Sequence, residues 1–68
     1  MMPTSDSRIV FQANFSCFIF NRAVITGEPL FIVLNKDSEY ELYFFGEAQP
    51  WAWLRRGDVN KLAGRDIV

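Results

Sequence analysis

A single cysteine, Cys17, and the absence of histidine leave this 68-residue chain without an internal crosslink. One cysteine cannot form an intramolecular disulfide, and a zinc site built from Cys and His is excluded as well. A domain of this size buries only about 60% of the surface that its unfolded chain exposes. The fold must therefore rely on dense packing of its own apolar side chains, or on assembly with a second chain.

Aromatic rings are concentrated in residues 39–54, which hold six of the eleven in the chain. A core this small does not need so many rings, so we expect some of them to face solvent. Trp and Tyr on a surface commonly mark a binding site, because they offer large contact area at little cost in rotamer entropy. This segment is therefore the first candidate for a binding surface.

Short apolar segments separated by regular turn signals predict a mainly β domain of the α+β class. Turn chemistry lies at 26–29 and 35–38, where Gly, Pro, Asn and Asp favour reversals. We expect four to five short antiparallel strands, at residues 15–21, 23–26, 30–34, 40–45 and 51–54. The segments on either side of the 35–38 turn form the clearest hairpin.

Alternation along residues 40–45 predicts one side that faces the core and one that faces water. The core side holds Tyr40, Leu42 and Phe44. The water side carries two carboxylates and two rings: Glu39, Glu41, Tyr43 and Phe45.

The same alternation along residues 51–54 opposes Trp51 and Trp53 to Ala52 and Leu54. Two roles stay open for the tryptophans. One or both rings could fill the core beneath a helix, or Trp51, which follows a loop at 46–50, could be an exposed anchor for a partner.

A short carboxyl-terminal helix is predicted from residue 58 onward. Asp58 is a suitable N-cap, Val59 and Leu62 share one helix face, and Gly64 is placed for a left-handed C-cap. Since no linker or repeat interrupts the chain, we expect one domain over residues 8–68, preceded by a flexible amino terminus at residues 1–7.

The side-chain chemistry argues against an enzyme. Without histidine there is no ordinary general base near neutral pH, and Cys17 has no histidine that would activate its thiol. Neither a metal nor a cofactor is expected. The longest apolar stretches, 18–20 and 30–34, are far below the roughly 20 residues of a membrane helix, and a lone thiol suits a reducing cytoplasm.

Charge is distributed unevenly around the aromatic segment. Residues 37–47 carry four carboxylates and no basic group, whereas residues 55–65 carry four basic groups and one carboxylate. These charges either belong to solvated turns or form a two-signed surface that orients a protein partner. No extended basic stripe of the kind that binds a phosphate backbone is present, which argues against nucleic acid.

Spaced hydrophobic residues and turn glycines over residues 14–68 resemble a family of small bacterial proteins. That family is a domain of unknown function, and some relatives are immunity proteins of polymorphic toxin systems. The resemblance rests on Asn14-Phe15-Ser16-Cys17, Val24, Gly27-Glu28-Pro29-Leu30, Val33, Asp37, Phe44-Phe45-Gly46, Val59, Leu62 and Asp66-Ile67. It implies a protein that binds and neutralises another protein.

A more local pattern over residues 40–62 is similar to the later strands of a PWWP or Tudor-like reader barrel. It consists of Tyr43-Phe44-Phe45-Gly46, Ala52-Trp53-Leu54 and Leu62. The similarity implies an aromatic cage of Tyr43, Phe45 and Trp53 around a cationic or methylated ligand, with Glu41 as its charge partner.

The function predicted from these observations is a non-enzymatic, cytoplasmic protein-binding module of bacterial or phage origin. It would act as an immunity protein or inhibitor that covers the surface of a toxin or defence component, with the aromatic-cage reader as the alternative. The candidate contact residues are Trp51, Tyr43, Phe45, Trp53, Arg55, Arg56, Glu39 and Glu41. A homodimer, formed through an unpaired strand edge or the exposed rings, is a further expectation.

Overall fold

Antiparallel strands dominate the structure, a computed structural model that describes residues 8–68. Within that range the elements are β1 (Ile9–Gln12), β2 (Cys17–Ile19), β3 (Arg22–Val24), β4 (Pro29–Leu34), β5 (Tyr40–Phe44), β6 (Ala52–Leu54) and α1 (Arg56–Ala63). The predicted mainly β fold with a short carboxyl-terminal helix is confirmed, although residues 8–68 form six strands rather than four or five. The expected flexible segment 1–7 lies outside the described residues.

The strands form two antiparallel sheets. A four-stranded sheet has the order β1-β4-β5-β6, and β2 and β3 form a separate two-stranded hairpin. The central pair, β4 and β5, runs from Leu30 opposite Phe44 to Leu34 opposite Tyr40, which confirms the hairpin predicted around the 35–38 turn. Its turn is held by the Asn35 side chain, whose Oδ1 accepts hydrogen bonds from the amides of Asp37 and Glu39.

The core lies on one side of the four-stranded sheet, called the inward side. There the alternation of β5 places Leu42 and Phe44 at 0% and 1% exposure, and Tyr40 is buried beside them. The β2–β3 hairpin and α1 cover this side. The buried residues are Phe11, Ala13, Val24, Leu30, Ile32, Tyr40, Leu42, Phe44, Ala52, Val59, Leu62 and Ala63.

Strand β1 was missed by the sequence prediction. Its residues Ile9–Gln12 pair with Pro29–Ile32 of β4, and Phe11 is 3% exposed. The signal was the run Ile9-Val10-Phe11, whose β-branched and aromatic side chains favour strands.

The predicted strand 15–21 is too long, because the chain reverses at Phe20 and Asn21. Both residues have positive φ angles, 47° and 68°, and they link the facing pair Ile19 and Arg22. Two central residues with positive φ are typical of a type I′ hairpin turn. Asn adopts that conformation readily, whereas an aromatic residue does so rarely.

The helix starts earlier than predicted, and Asp58 is not its cap. Arg55 occupies the N-cap position without a side-chain hydrogen bond, and the Arg55 carbonyl accepts from the amide of Val59. Asp58 lies in the first turn, where its negative charge is favoured by the helix dipole. The predicted helix face and end are confirmed, since Val59 and Leu62 are buried and Gly64 is left-handed at φ 76°.

Replacing Gly64 tests the junction between α1 and the segment after β1. A Cβ at Gly64 would lie 2.6 Å from the side-chain Cγ of Asn14. The backbone N–H of Asn14 donates a hydrogen bond to the carbonyl of Leu62. Because a left-handed alanine alone costs about 1–2 kcal/mol, we expect Gly64→Ala to lower the free energy of unfolding by at least that amount.

Gly57→Ala is the matched control, because a Cβ there would meet no atom within 4 Å and the residue is helical. It should leave stability unchanged or raise it by up to about 1 kcal/mol. Urea unfolding followed by circular dichroism measures both variants. Equal effects would contradict the close approach of Asn14 and Gly64.

Candidate functional site

The outward side of the four-stranded sheet carries a continuous set of apolar and aromatic side chains. Cross-strand pairing places Val10, Phe31 and Tyr43 side by side in one row across β1, β4 and β5. The neighbouring row across β4, β5 and β6 holds Val33, Glu41 and Trp53. These residues alternate with the buried ones, so they point away from the core. The aromatic face is defined as Val10, Phe31, Val33, Glu41, Tyr43, Phe45 and Trp53.

None of the elements between residues 8 and 68 packs over the aromatic face, because the hairpin and the helix both lie on the inward side. Val10 is 54% exposed, Trp53 50% and Phe45 78%. Monomeric proteins seldom leave a contiguous apolar patch open to water unless the patch binds something. The aromatic face is therefore the candidate functional site.

Neighbouring side chains hold the rings of this face in place. Phe31 and Phe45 pack with their ring centroids 6.3 Å apart. The Arg8 guanidinium lies 4.7 Å from the centroid of Tyr43, and the Tyr43 hydroxyl donates to Oε1 of Glu41 over 2.9 Å. The centre of the face is thus organised before any partner arrives, which reduces the entropy lost on binding.

The pKa of Tyr43 is raised above its ordinary value. Desolvation is the main cause, and the hydrogen bond to Glu41 and the charge of that carboxylate raise the pKa further, while the positive charge of Arg8 opposes them. Desolvation, the hydrogen bond and the Glu41 charge favour the neutral phenol, and the Arg8 charge favours the phenolate. Tyr43 therefore acts on this face as a neutral hydrogen-bond donor.

Trp51 does not share a side with Trp53, which corrects the alternation predicted for residues 51–54. Its ring packs edge-on against the inward-facing Phe44, with centroids 6.3 Å apart, and its indole N–H donates to the carbonyl of Ile19 over 2.8 Å. Trp51 therefore joins the β2–β3 hairpin to the four-stranded sheet. It remains 38% exposed, at one wall of an open depression of about 440 Å³ that residues 47–51 line.

Arg22 reinforces the same junction from the hairpin. Its guanidinium lies 3.7 Å from the ring centroid of Phe44 and 5.4 Å from that of Trp51, and it pairs with a Glu47 carboxylate oxygen at 2.5 Å. A cation stacked on two rings and bonded to a carboxylate holds the hairpin against the sheet.

The structure brings together only part of the predicted contact set. Glu41, Tyr43, Phe45 and Trp53 lie on the aromatic face. Glu39 and Arg55 are the residues immediately beyond the last β5–β6 pair, Tyr40 and Leu54. Arg55 and Arg56 are exposed at the start of α1.

Three apolar contributors to the aromatic face, Val10, Phe31 and Val33, were not predicted. Residues 30–34 are uniformly apolar, a pattern of strands with apolar side chains on both sides, and this was the available signal for Phe31 and Val33. Val10 was missed together with its strand.

A second exposed apolar group, also not predicted, lies on the β2–β3 hairpin. Phe18 is 75% exposed, Phe20 68% and Ile25 60%. Cys17, Ile19 and Val24 turn toward the core, so this group points to the other side of the molecule from the aromatic face.

Residues 8–68 contain no group of three or more Cys, Asp or Glu side chains placed to hold a metal ion. Over the same range no helix is long and apolar enough to cross a membrane. No protein-family model, curated protein or solved structure matches this chain. The two family resemblances of the sequence therefore stay predictions.

Replacing each tryptophan in turn separates the structural ring from the outward one. Trp51→Ala removes ring packing against Phe44 and a hydrogen bond to Ile19, so we expect a loss of about 2–3 kcal/mol. Trp53→Ala removes only cross-strand contacts on the open face and should cost about 1 kcal/mol or less. Urea unfolding provides the comparison. A larger loss for Trp53→Ala would contradict this assignment of the rings.

Alkaline pH should weaken the fold through Tyr43. When the pKa of a tyrosine is higher in the folded chain than in the unfolded chain, where it is about 10, its neutral form stabilises the fold. This stabilisation is complete below about pH 10 and is lost as the pH rises through the folded pKa. We expect the urea midpoint of the natural protein to fall above about pH 10, and that of Tyr43→Phe to fall less. Tyr40 is present in both proteins, so the difference isolates Tyr43. Parallel pH profiles would contradict the raised pKa.

Proposed function

We propose that this protein is a non-enzymatic binding module that covers the surface of another protein, as an immunity protein or inhibitor does. The observation that carries the proposal is the aromatic face, which no element within residues 8–68 covers. Its mechanism is steric: a rigid sheet lies on the partner and blocks access to what the partner must bind. The cytoplasm is the proposed location, on the ground of the single free thiol Cys17.

Two rings are suited to be the anchors. Phe45 and Trp53 are the most exposed aromatic residues of the face and have the most area to lose on contact. A few buried aromatic residues commonly supply most of the binding energy in an interface. Tyr43, with its hydroxyl on Glu41, adds a neutral polar contact near the centre.

Charged residues on the face and just beyond its strands supply orientation. Glu41 lies within the face on β5, Glu39 immediately precedes β5, and Arg55 and Arg56 follow β6 directly. Exposed charges at the rim of an interface act mainly on the association rate and on the choice of partner. Trp51 supports the site through the fold and is not one of its proposed anchors.

A reader of methylated or cationic ligands is the less supported function. Such a site needs several rings turned toward one cation. Here Phe45 packs against Phe31, and the cationic Arg8 of the chain itself lies over Tyr43. These contacts favour a broad protein surface over a cage.

A growth-rescue assay tests the proposal. The gene next to the one for this protein is expressed alone and then together with it, and we expect its product to be toxic alone and harmless when co-expressed. Phe45→Ser should abolish the rescue, because it places a small polar group where an anchor ring stood.

Phe18→Ser is the matched control, since Phe18 is exposed to 75% against 78% for Phe45 but lies on the hairpin. It should rescue as the natural protein does. Rescue by Phe45→Ser and not by Phe18→Ser would assign the contact to the hairpin. A toxic neighbour that the natural protein neither neutralises nor binds in calorimetry would refute the immunity function.

A further inference from the structure

The outer edge of β1 presents backbone groups that do not bond to β4. In an antiparallel pair, alternate residues bond to the neighbouring strand, and the residues between them turn their N–H and C=O groups away from it. Pro29 has no N–H and stands opposite Gln12. The next residue, Ala13, donates its amide to the carbonyl of Glu28. Gln12, and with it Val10 two residues earlier, therefore turns its backbone groups outward.

These outward groups have no partner in the part of the chain that the structure describes. Within residues 8–68 no other group forms a hydrogen bond with the backbone N–H or C=O of Val10 or Gln12. Both residues are exposed, so the edge is open to solvent. A row of donors and acceptors at strand spacing is matched by the backbone of another extended chain.

The opposite edge of the sheet is protected, and the β1 edge is not. Native edge strands are commonly short, or carry charges, prolines or bulges that prevent another strand from pairing. β6 has three residues and lies between Pro50 and the pair Arg55 and Arg56. β1 is Ile-Val-Phe-Gln, without charge or proline, and it pairs residue by residue with β4 without a bulge. The cation that precedes it, on Arg8, lies over the ring of Tyr43.

We propose that the protein bound through the aromatic face also supplies a short extended segment, which pairs with β1 as a fifth strand of the sheet. The inference rests on the proposed function in taking the partner to be a protein, and it adds the form of the segment that this protein contributes. Val10 connects the two contacts, because its side chain belongs to the aromatic face and its backbone to the edge. In such strand addition, main-chain hydrogen bonds supply affinity and the neighbouring side chains supply specificity.

The side chains of β1 define which residues this segment carries. Residues opposite each other in a sheet share one side, so the residue beside Val10 extends the row of Val10, Phe31 and Tyr43 on the aromatic face. The residue beside Ile9 lies on the inward side, where Ile9 is 39% exposed at the margin of the core. We expect β-branched or aromatic residues at both places, and no proline at the positions that bond to β1.

A second copy of this chain fits the edge less well than a segment of the partner. The edge strand has four residues and is about 13 Å long, whereas a stable interface buries more than about 1,000 Å². Two copies joined at their β1 edges would form one continuous sheet and leave both aromatic faces uncovered. A partner that adds a strand covers the edge and the face together.

Peptide selection from a phage-displayed library of random twelve-residue sequences tests the edge. Peptides are selected on the natural protein and depleted on Gln12→Pro, which removes an outward N–H and no bond to β4. Proline is found in edge strands at positions of this kind. Gln12→Ala is the matched control, because it also removes the glutamine side chain but keeps the N–H. The selected peptides should bind Gln12→Pro at least about tenfold more weakly than the natural protein, and Gln12→Ala with unchanged affinity.

Two measurements require no change in the chain. N-methylation of a selected peptide at alternate amides should weaken binding at least about tenfold, whereas methylation of the intervening amides should not, because only one edge of an added strand pairs. Hydrogen exchange followed by NMR should be fast at the amides of Val10 and Gln12 and slow at that of Phe11 in the chain alone. The bound peptide should slow exchange at both outward amides. Melting curves establish that the variants compared are folded.

The growth-rescue assay tests whether the partner itself uses the edge. Gln12→Pro should reduce rescue, and Gln12→Ala should rescue as the natural protein does. The peptide selection contains no product of the neighbouring gene, so its result is independent of the immunity function. Peptides that bind as expected to a chain that rescues nothing would sustain the strand edge and refute the immunity function.

A selection that yields no peptide able to discriminate between the natural protein and Gln12→Pro would overturn the inference. So would equal sensitivity of binding to methylation at every peptide amide, or full rescue by Gln12→Pro. Protection of the Gln12 amide that appears in the chain alone as its concentration rises would assign the edge to a second copy instead.

Discussion

Burial of one side of the β4–β5 pair is the interaction on which the remainder of this structure depends. Leu30, Ile32, Leu42 and Phe44 are all almost fully buried, and they pair across the two strands in register. With no disulfide and no Cys/His metal site available to the sequence, this layer must hold the hairpin and the helix that pack on it. A one-residue slip would turn these side chains outward, so the same layer also fixes the register.

The hairpin is fastened to that layer by a polar cluster as well as by apolar contacts. Arg22 stacks on Phe44 and pairs with Glu47, while Trp51 donates to the carbonyl of Ile19. These contacts join segments far apart in the chain, at residues 19–22 and 44–51. They explain how a strand pair of three residues each, too short to be stable alone, keeps one position on the sheet.

The aromatic face leaves large rings available for binding, although burying them would stabilise the domain. A small domain gains most by burying its largest side chains, yet Phe45 and Trp53 stay half or more exposed. Phe20 adds to this conflict, since it is exposed and holds a backbone conformation that aromatic residues rarely adopt. Exposed rings on two sides of so small a molecule agree with a protein whose apolar surface is covered when it binds another protein.

The sequence by itself determined the local features of this protein: the hairpin around residues 35–38, the buried side of β5 and the left-handed end of the helix at Gly64. Each depends on neighbours in the chain, through alternation, turn chemistry or helix periodicity. The tertiary structure decided which sheet side the hairpin and helix cover, and therefore that Phe31 and Val33 join Tyr43 and Trp53 on the open side. It also turned Trp51 toward Phe44. Alternation defines two sides of a strand but carries no information about what packs on either, because that contact is made by residues distant in the chain.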